Sequence, residues 1–401
     1  MTLNNNLELG EGISIITPIY KAEKYISILL NSMKHQTIDY NLFEHIFIIN
    51  GELDGTKKII EDFKEKNPKM NIKLFYSELA NASNARNIGI EKACRDYSTF
   101  IDADDFISPN FLEQMFKHAK QNRIVVSNII DVDEDKKYNS SPIDKQISNN
   151  QGVIGQPLIN ISMVLTINAC KLIPTNIIKK TRFNIDLGSG EDIVFFCNLV
   201  VLNDLQFFVL KPKTAIYYRF VRSHSVSRRP LSYGFNVKER LKVIKELNNL
   251  LITTEDIEKQ EFIKQKIRAQ TSFINKYLNH YPNDIQRVHK AINSSCFAYF
   301  SYSDLNKNLA KTLVVSYCFP PYVDTSANVM GKRVRELNSV VDVIQNNMND
   351  MRQTDDNLNG LVDEFIENRI VINSHQSFGN WDDIKDFCEM GMEQISHRIS
   401  D

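Results

Sequence analysis

The chain has 401 residues, of which 42% are hydrophobic and 24% charged; this excludes wholesale disorder and allows about two to three domains of ordinary size. Its 48 Lys and Arg nearly balance its 49 Asp and Glu, so bulk positive charge does not hold it to nucleic acid. Six scattered cysteines without C-x-x-C spacing exclude a disulfide scaffold and read as the reduced thiols of a cytosolic protein. The first twelve residues carry no apolar signal segment. No window reaches ~18 uninterrupted apolar residues, and the longest candidate, 153–178, is broken by Asn, Pro, Thr and Lys. The expectation is a protein without a transmembrane segment, compatible with peripheral contact at the inner face of a membrane.

In chain order, Ile13–Thr17, His45–Asn50, Ile72–Tyr76, Thr99–Asp102 and Ile124–Ile130 are short runs rich in β-branched and aromatic residues, and they predict strands. Helical patterns lie between them. The clearest is Pro109–Lys120, with Ser108 as N-cap, Pro109 at the first position, and Leu112, Met115, Phe116 and Ala119 on one face. Such alternation predicts an α/β fold with a mostly parallel, twisted sheet, whose ligands bind at the carboxyl ends of the strands. The polar stretch Asp131–Gln151 predicts a surface loop, and Ile154–Tyr218 returns to mixed α/β character. From Tyr233 to Leu309 the pattern is helical, strongest over Val237–Leu251 and Glu255–Leu278. Thr312–Tyr317 and Val340–Ile344 read as further strands around a helical Met330–Leu337. The expected division is therefore a catalytic domain at 1–232, a helical region at 233–310, and a small second α/β segment at 311–401.

Chemistry concentrates at strand ends. Ser98–Asp105 (STFIDADD) runs from a strand into carboxylates. Crowded carboxylates repel unless a cation neutralises them, and hard oxygen ligands suit Mg2+ or Mn2+ bridging a diphosphate. The plainer reading is an acidic tetrad that ends a strand and caps a helix. Ser83–Gly89 (SNARNIG) follows the third strand and opens a helix, with Arg86 near its first turn. Arg binds phosphate bidentately, and a helix N-terminus favours an anion. Glu191 and Asp192 precede an apolar helix; the pair complements the helix dipole, or Asp192 serves as a general base for a hydroxyl nucleophile.

Taken together and in order, ISIITPIYK at 13–21, Gln36-Thr37, Asp54-Gly55-Thr56, ASNARNIG at 82–89, FIDADD at 100–105 and Gly190-Glu191-Asp192 make residues 12–220 resemble the family-2 glycosyltransferases of GT-A fold. The likeness is greatest to bacterial enzymes of wall teichoic acid and capsular polysaccharide synthesis. The resemblance implies a metal-dependent, inverting transfer from a nucleotide-diphosphate sugar to a glycan or polyol-phosphate hydroxyl. Pro18 and Tyr20 would line the base pocket, and Arg86 would reach the diphosphate. Asp102 would contact ribose or metal, and Asp104 would hold the Mn2+ or Mg2+. Asp192 would be the base, with Glu191 beside it on sugar or acceptor. Arg222, His224 and Ser225 lie where the family carries a basic loop that closes over the donor, and His224 would complete the metal shell.

The family commonly ends its second strand with an acidic pair, where this chain has Ile49-Asn50. Asn50 can still read a uracil edge, so a UDP-sugar is the default, and guanosine or deoxythymidine donors remain open. A non-catalytic sugar-binding module of a larger synthase is the competing reading. A nucleotidyltransferase is a weaker one, because TPIYKAEK at 17–24 lacks glycine. Residues 311–344 loosely resemble the opening of GT-B glycosyltransferases, and 311–401 fit a truncated second enzyme domain or an accessory domain.

Overall fold

The first two strands are rich in apolar residues and buried on both faces, as central parallel strands are. In the computed structural model, Gly12–Ile19 and Phe43–Asn50 are buried without a break. The structure describes residues 9–152, 154–155, 157–221, 230–295 and 297–300. The expectations for Arg222, His224, Ser225 and 311–401 lie outside the described residues.

The first half alternates β1 (Gly10–Ile19), α1 (Ile26–Lys34), β2 (Phe43–Asn50), α2 (Thr56–Lys66), β3 (Asn71–Ser77), α3 (Ala82–Lys92) and β4 (Arg95–Phe100). There follow β5 (Phe106–Ile107), α4 (Phe111–Lys117), β6 (Arg123–Val126), β7 (Asn128–Asp133), β8 (Tyr138–Asn139) and α5 (Pro142–Asn149). Next come β9 (Lys171–Pro174), α6 (Thr175–Ile178), α7 (Glu191–Val201), β10 (Gln206–Val209) and β11 (Ile216–Val221). A π-helical turn, Gly234–Glu239, leads into α8 (Arg240–Leu251), then α9 (Ile257–His280) and α10 (Ile285–Ser295).

A seven-stranded sheet has the order β10-β6-β9-β4-β1-β2-β3. It is parallel except at β9, which runs antiparallel to both β4 and β6. A four-stranded sheet, β5-β11-β7-β8, stands beside this order. Register sets the rim of the larger sheet: Phe100 pairs with Ile16, so Asp102 follows two residues beyond that pair, while Asn50 pairs with Ser77. The carboxyl ends of β1 to β4 therefore converge on one edge, where a doubly wound sheet takes its ligand.

Helix α3 lies on β1 and β2, and Gly89 is what lets it approach. A Cβ there would meet Ile16 Cγ2 at 2.3 Å and Ile48 Cδ1 at 2.9 Å. Gly89→Ala should therefore cost about 1–3 kcal/mol by overpacking, seen as a lower denaturation midpoint. An unchanged midpoint would mean that α3 is not seated as described.

The described residues fall into two compact units. One comprises those up to Pro230 with Asn249–Lys266; the other comprises Leu231–Asn248 with those from Ile267 onward. Both sheets belong to the first. In the second, Asn248 donates to the Tyr299 carbonyl at 2.9 Å and accepts from its N–H at 2.6 Å. The Arg287 guanidinium lies 3.7 Å from the Tyr233 ring centroid.

Several local expectations need correction. The fourth strand ends at Phe100, so Asp102 lies in the turn beyond it. Ile124–Ile130 is two strands in different sheets, because Ser127 leaves the ladder and donates its N–H to the Cys170 carbonyl. The helix expected at Pro109–Lys120 spans Phe111–Lys117, with Asn110 at its N-cap. Ser108 is drawn away from the cap: its hydroxyl donates to Asn110 and accepts from the Ile216 N–H. The stretch expected as a loop, 131–151, carries the end of β7, β8 and α5; Ser141 caps α5 by accepting the Asp144 N–H, with Pro142 at its first turn. No described helix is long and apolar enough to cross a membrane, and Cys94, Cys170 and Cys197 are free thiols.

Candidate active site

Arg86 organises the strand-end edge. The cap of α3 is Asn81, which accepts the Asn84 N–H at 2.9 Å. Arg86 therefore stands one turn into the helix rather than at its mouth, and its side chain is only 8% exposed. Its Nη2 reaches Asp102 Oδ1 at 3.2 Å and its Nη1 reaches Glu191 Oε1 at 3.3 Å. The guanidinium also lies 5.5 Å from the Phe183 ring. That ring stacks on Phe195 of α7 at 3.8 Å and meets Phe100 of β4 edge-on at 5.5 Å. Burial works against the positive charge, but Asp102, Glu191 and Asp192 outweigh it and hold Arg86 above its ordinary range. One buried cation thus links the end of β4 to the start of α7.

Gly190, at φ +84°, turns the chain into α7 and places Glu191 and Asp192 in its first turn, where the dipole favours anions. Asp192 is half-buried. Desolvation, then the neighbouring Glu191 charge, push its carboxyl up to about 7, against the opposing pull of Arg86 and the Asp192 and Ile193 N–H groups. A carboxyl titrating near neutrality is suited to taking a proton. Beneath α7, the fully buried Lys171 donates to the Val164, Ile167 and Ala169 carbonyls at 2.9, 2.6 and 2.9 Å. Its ammonium sits 4.4 Å from the Phe196 ring, one turn below Asp192. Burial brings Lys171 down to about 8, although the Cys170 and Asp192 charges work the other way.

The tetrad divides by environment. Asp102 and Asp104 are half-buried, while Asp105 is 3% exposed. Asp105 accepts from the Tyr217 hydroxyl at 2.6 Å and the Phe220 N–H at 2.7 Å. Burial, then the charges of Asp104 and Asp102, push Asp105 well above the carboxylate range. This crowding of negative charge fits a cation held between Asp102 and Asp104. Among the described residues, however, no group of three His, Cys, Asp or Glu side chains could cage a metal ion. Mg2+ and Mn2+ commonly take part of their shell from substrate phosphates and water, so two protein carboxylates suit a cation that arrives with a diphosphate.

Pro18, Tyr20 and Asn50 form a second group at the ends of β1 and β2. Pro18 is buried and Tyr20 is 54% exposed. Asn50 is buried and donates Nδ2 to the Ile19 carbonyl at 2.7 Å. Gly51, at φ +74°, follows; a Cβ there would come within 2.6 Å of Ala80 Cβ and 3.2 Å of Tyr20 Cε2. The sequence reading missed Tyr217, Phe183 and Lys171. Each sits in an ordinary apolar or mixed run, and only the fold brings it to the site.

Residues 14–182 match the model of the family described as Glycosyl transferase family 2. An uncharacterized glycosyltransferase of Haemophilus influenzae is 39% identical over 116 residues, 29% of this chain and 45% of that one. The Staphylococcus aureus poly(ribitol-phosphate) beta-N-acetylglucosaminyltransferase TarS is 26% identical over 266 residues, 65% of this chain and 44% of TarS. The match thus spans less than half the length of each of these two relatives. The crystal structure of S. aureus TarS 1-349 in complex with UDP-GlcNAc superposes with a TM-score of 0.54 at 19% identity, covering 82% of this chain and 90% of that one. The sheet order, the strand-end edge and these matches agree: residues 14–182 carry a domain that matches the family-2 glycosyltransferases, in a chain whose fold is that of the GT-A enzyme TarS.

Proposed function

We propose that the chain transfers a sugar from a UDP-sugar to a hydroxyl of a bacterial cell-surface glycan, teichoic acid or capsule acceptor, with inversion at the anomeric carbon. The observation that carries this reading is Asp192: a half-buried carboxyl brought up to about 7 and tied by charge, through Arg86, to the strand-end Asp102. Sugar hydroxyls are poor nucleophiles at neutral pH, and a positioned base that can take their proton lowers the barrier. A single base acting on the acceptor hydroxyl fits a single in-line displacement better than a covalent intermediate.

In this mechanism Asp192 accepts the acceptor's proton while Glu191, held by Arg86, orients sugar or acceptor. Arg86 keeps Asp102 and Glu191 from repelling one another, and Asp102 and Asp104 present oxygens toward the donor diphosphate. A divalent cation bound there would offset negative charge on the departing diphosphate. Tyr20 offers a face for the base, and the Asn50 oxygen offers the acceptor that an imide N–H of uracil needs. The same oxygen would repel the bare ring nitrogens of cytosine or adenine. Support for UDP comes from TarS, whose crystal structures include complexes with UDP and UDP-GlcNAc. Support for a polyol-phosphate acceptor comes from relatives named as poly(ribitol-phosphate) transferases in S. aureus and Bacillus spizizenii. The proposal carries with it a cytoplasmic location, compatible with contact at the inner face of the membrane.

A thermal-shift panel of UDP-, GDP- and dTDP-sugars with and without Mn2+ tests this reading. Ligand at a hundredfold excess over Kd adds about 2.7 kcal/mol of stability. The expected result is stabilisation by the UDP series, increased by Mn2+. A response confined to GDP- or dTDP-sugars would overturn the choice of base, and a response indifferent to Mn2+ would overturn the cation.

A further inference from the structure

We propose that Tyr217 is a positioning residue of the donor site: its hydroxyl fixes the Asp102–Asp105 turn and thereby aims the carboxylates that face the nucleotide sugar. This rests on the donor site proposed above. Tyr217 is fully buried in β11, paired with Ile107 on one side and Ile129 on the other. Its hydroxyl accepts the Asp102 N–H at 3.2 Å and donates to Asp105 Oδ2 at 2.6 Å. A single oxygen therefore holds both ends of the four-residue turn, which is itself closed by the Asp105 N–H on the Asp102 carbonyl at 3.1 Å.

The second Asp105 oxygen accepts the Phe220 N–H at 2.7 Å, three residues along the same strand. Asp105 is thus bound at two points to β11 and is spent as an anchor. Asp102 and Asp104, on either side of Ala103, are half-buried. Without the hydroxyl, the Asp102 N–H loses its partner and Asp105 loses one of its two donors. The turn would then be held by one backbone hydrogen bond and one strap, in a place where three carboxylates repel. The plain alternative is a buried tyrosine that merely satisfies its own hydroxyl.

The test is Tyr217→Phe, which removes one oxygen and keeps the ring packed against Phe111. Thermal stability and UDP affinity, the latter by calorimetry with and without Mn2+, are measured together with donor KM and kcat. The expected result is a Kd for UDP weakened about tenfold, the size of one buried hydrogen bond, with donor KM rising more than kcat falls. Asp105→Asn leaves one acceptor oxygen for the two donors Tyr217 O–H and Phe220 N–H, so it loosens the same anchor from its other end and should weaken UDP comparably. The double variant should lose less than the sum of the two single losses, because both variants act on the shared Tyr217–Asp105 bond. Should Tyr217→Phe fail to fold, Asp105→Asn carries the same measurement alone. A lower melting temperature with UDP affinity unchanged, or additive losses in the double variant, overturns the inference while leaving the donor site in place. No UDP binding by the unaltered chain overturns both.

Discussion

Asp192→Asn should abolish transfer while leaving donor binding intact. A positioned base contributes about 10^2–10^4-fold to rate, and the amide cannot take a proton. Substrate recognition does not pass through this atom, so UDP affinity should stay within about twofold, less than half a kcal/mol. In the unaltered chain, activity should rise with pH through about 7, where the Asp192 carboxyl loses its proton. The limb should vanish with the residue. Stability should move in the opposite sense. The folded chain holds this proton up to about 7, whereas an unfolded Asp releases it near 3.8. Between those values the folded state binds more protons, so the charge costs the fold progressively as pH rises and the cost is complete above 7. Asparagine carries no charge, and the melting temperature of Asp192→Asn relative to the unaltered chain should be higher at pH 8 than at pH 4. A variant that keeps full activity, or one whose relative stability ignores pH, would remove Asp192 from the role of base.

Arg86→Met should be the most damaging change to the architecture of the site. The guanidinium is the shared partner of Asp102 and Glu191, and its charge pulls the Asp192 carboxyl down. Breaking a buried pair by removing one member costs about 3–5 kcal/mol. Here Asp102 is 41% exposed and Glu191 19%, so water can take up part of the freed charge and the loss should sit at the low end. Chemical denaturation reads it directly. Because Arg86 holds the Asp192 carboxyl down, the activity that survives should have its acidic limb moved to higher pH. Lysine should not rescue, since a point charge cannot span two carboxylates as the planar fork does. A fully stable Arg86→Met with an unmoved limb would show that the link is incidental.

The strands were legible because parallel, doubly buried strands leave runs such as Ile13–Ile19 that few other structures need. The break at Ser127 was not, since its cause is the Cys170 carbonyl, 43 residues along the chain and just before β9. Helix α4 was misread at its start because Ser108 is recruited across space by Ile216. In the site, Arg86, Asp102 and Asp192 each stood out as members of a motif. Their linkage could not be read, because Arg86 lies 16 residues from Asp102 and 105 from Glu191. Arg86 read as a phosphate ligand, whereas in this structure both of its terminal nitrogens are engaged by carboxylates. Tyr217 gave no signal at all; in the run IYYRFV it is one aromatic among several, and only the register of β11 brings its hydroxyl to the tetrad.

The most direct measurement is mass spectrometry of a polyol-phosphate acceptor incubated with a UDP-sugar, Mn2+ and either the unaltered chain or Asp192→Asn. The expected outcome is an acceptor heavier by one sugar, with UDP released in equal amount, for the unaltered chain, and no product for the variant despite equal UDP binding. UDP binding by both proteins with no sugar reaching any glycan or polyol-phosphate acceptor would contradict the account and leave a nucleotide-sugar-binding module in its place.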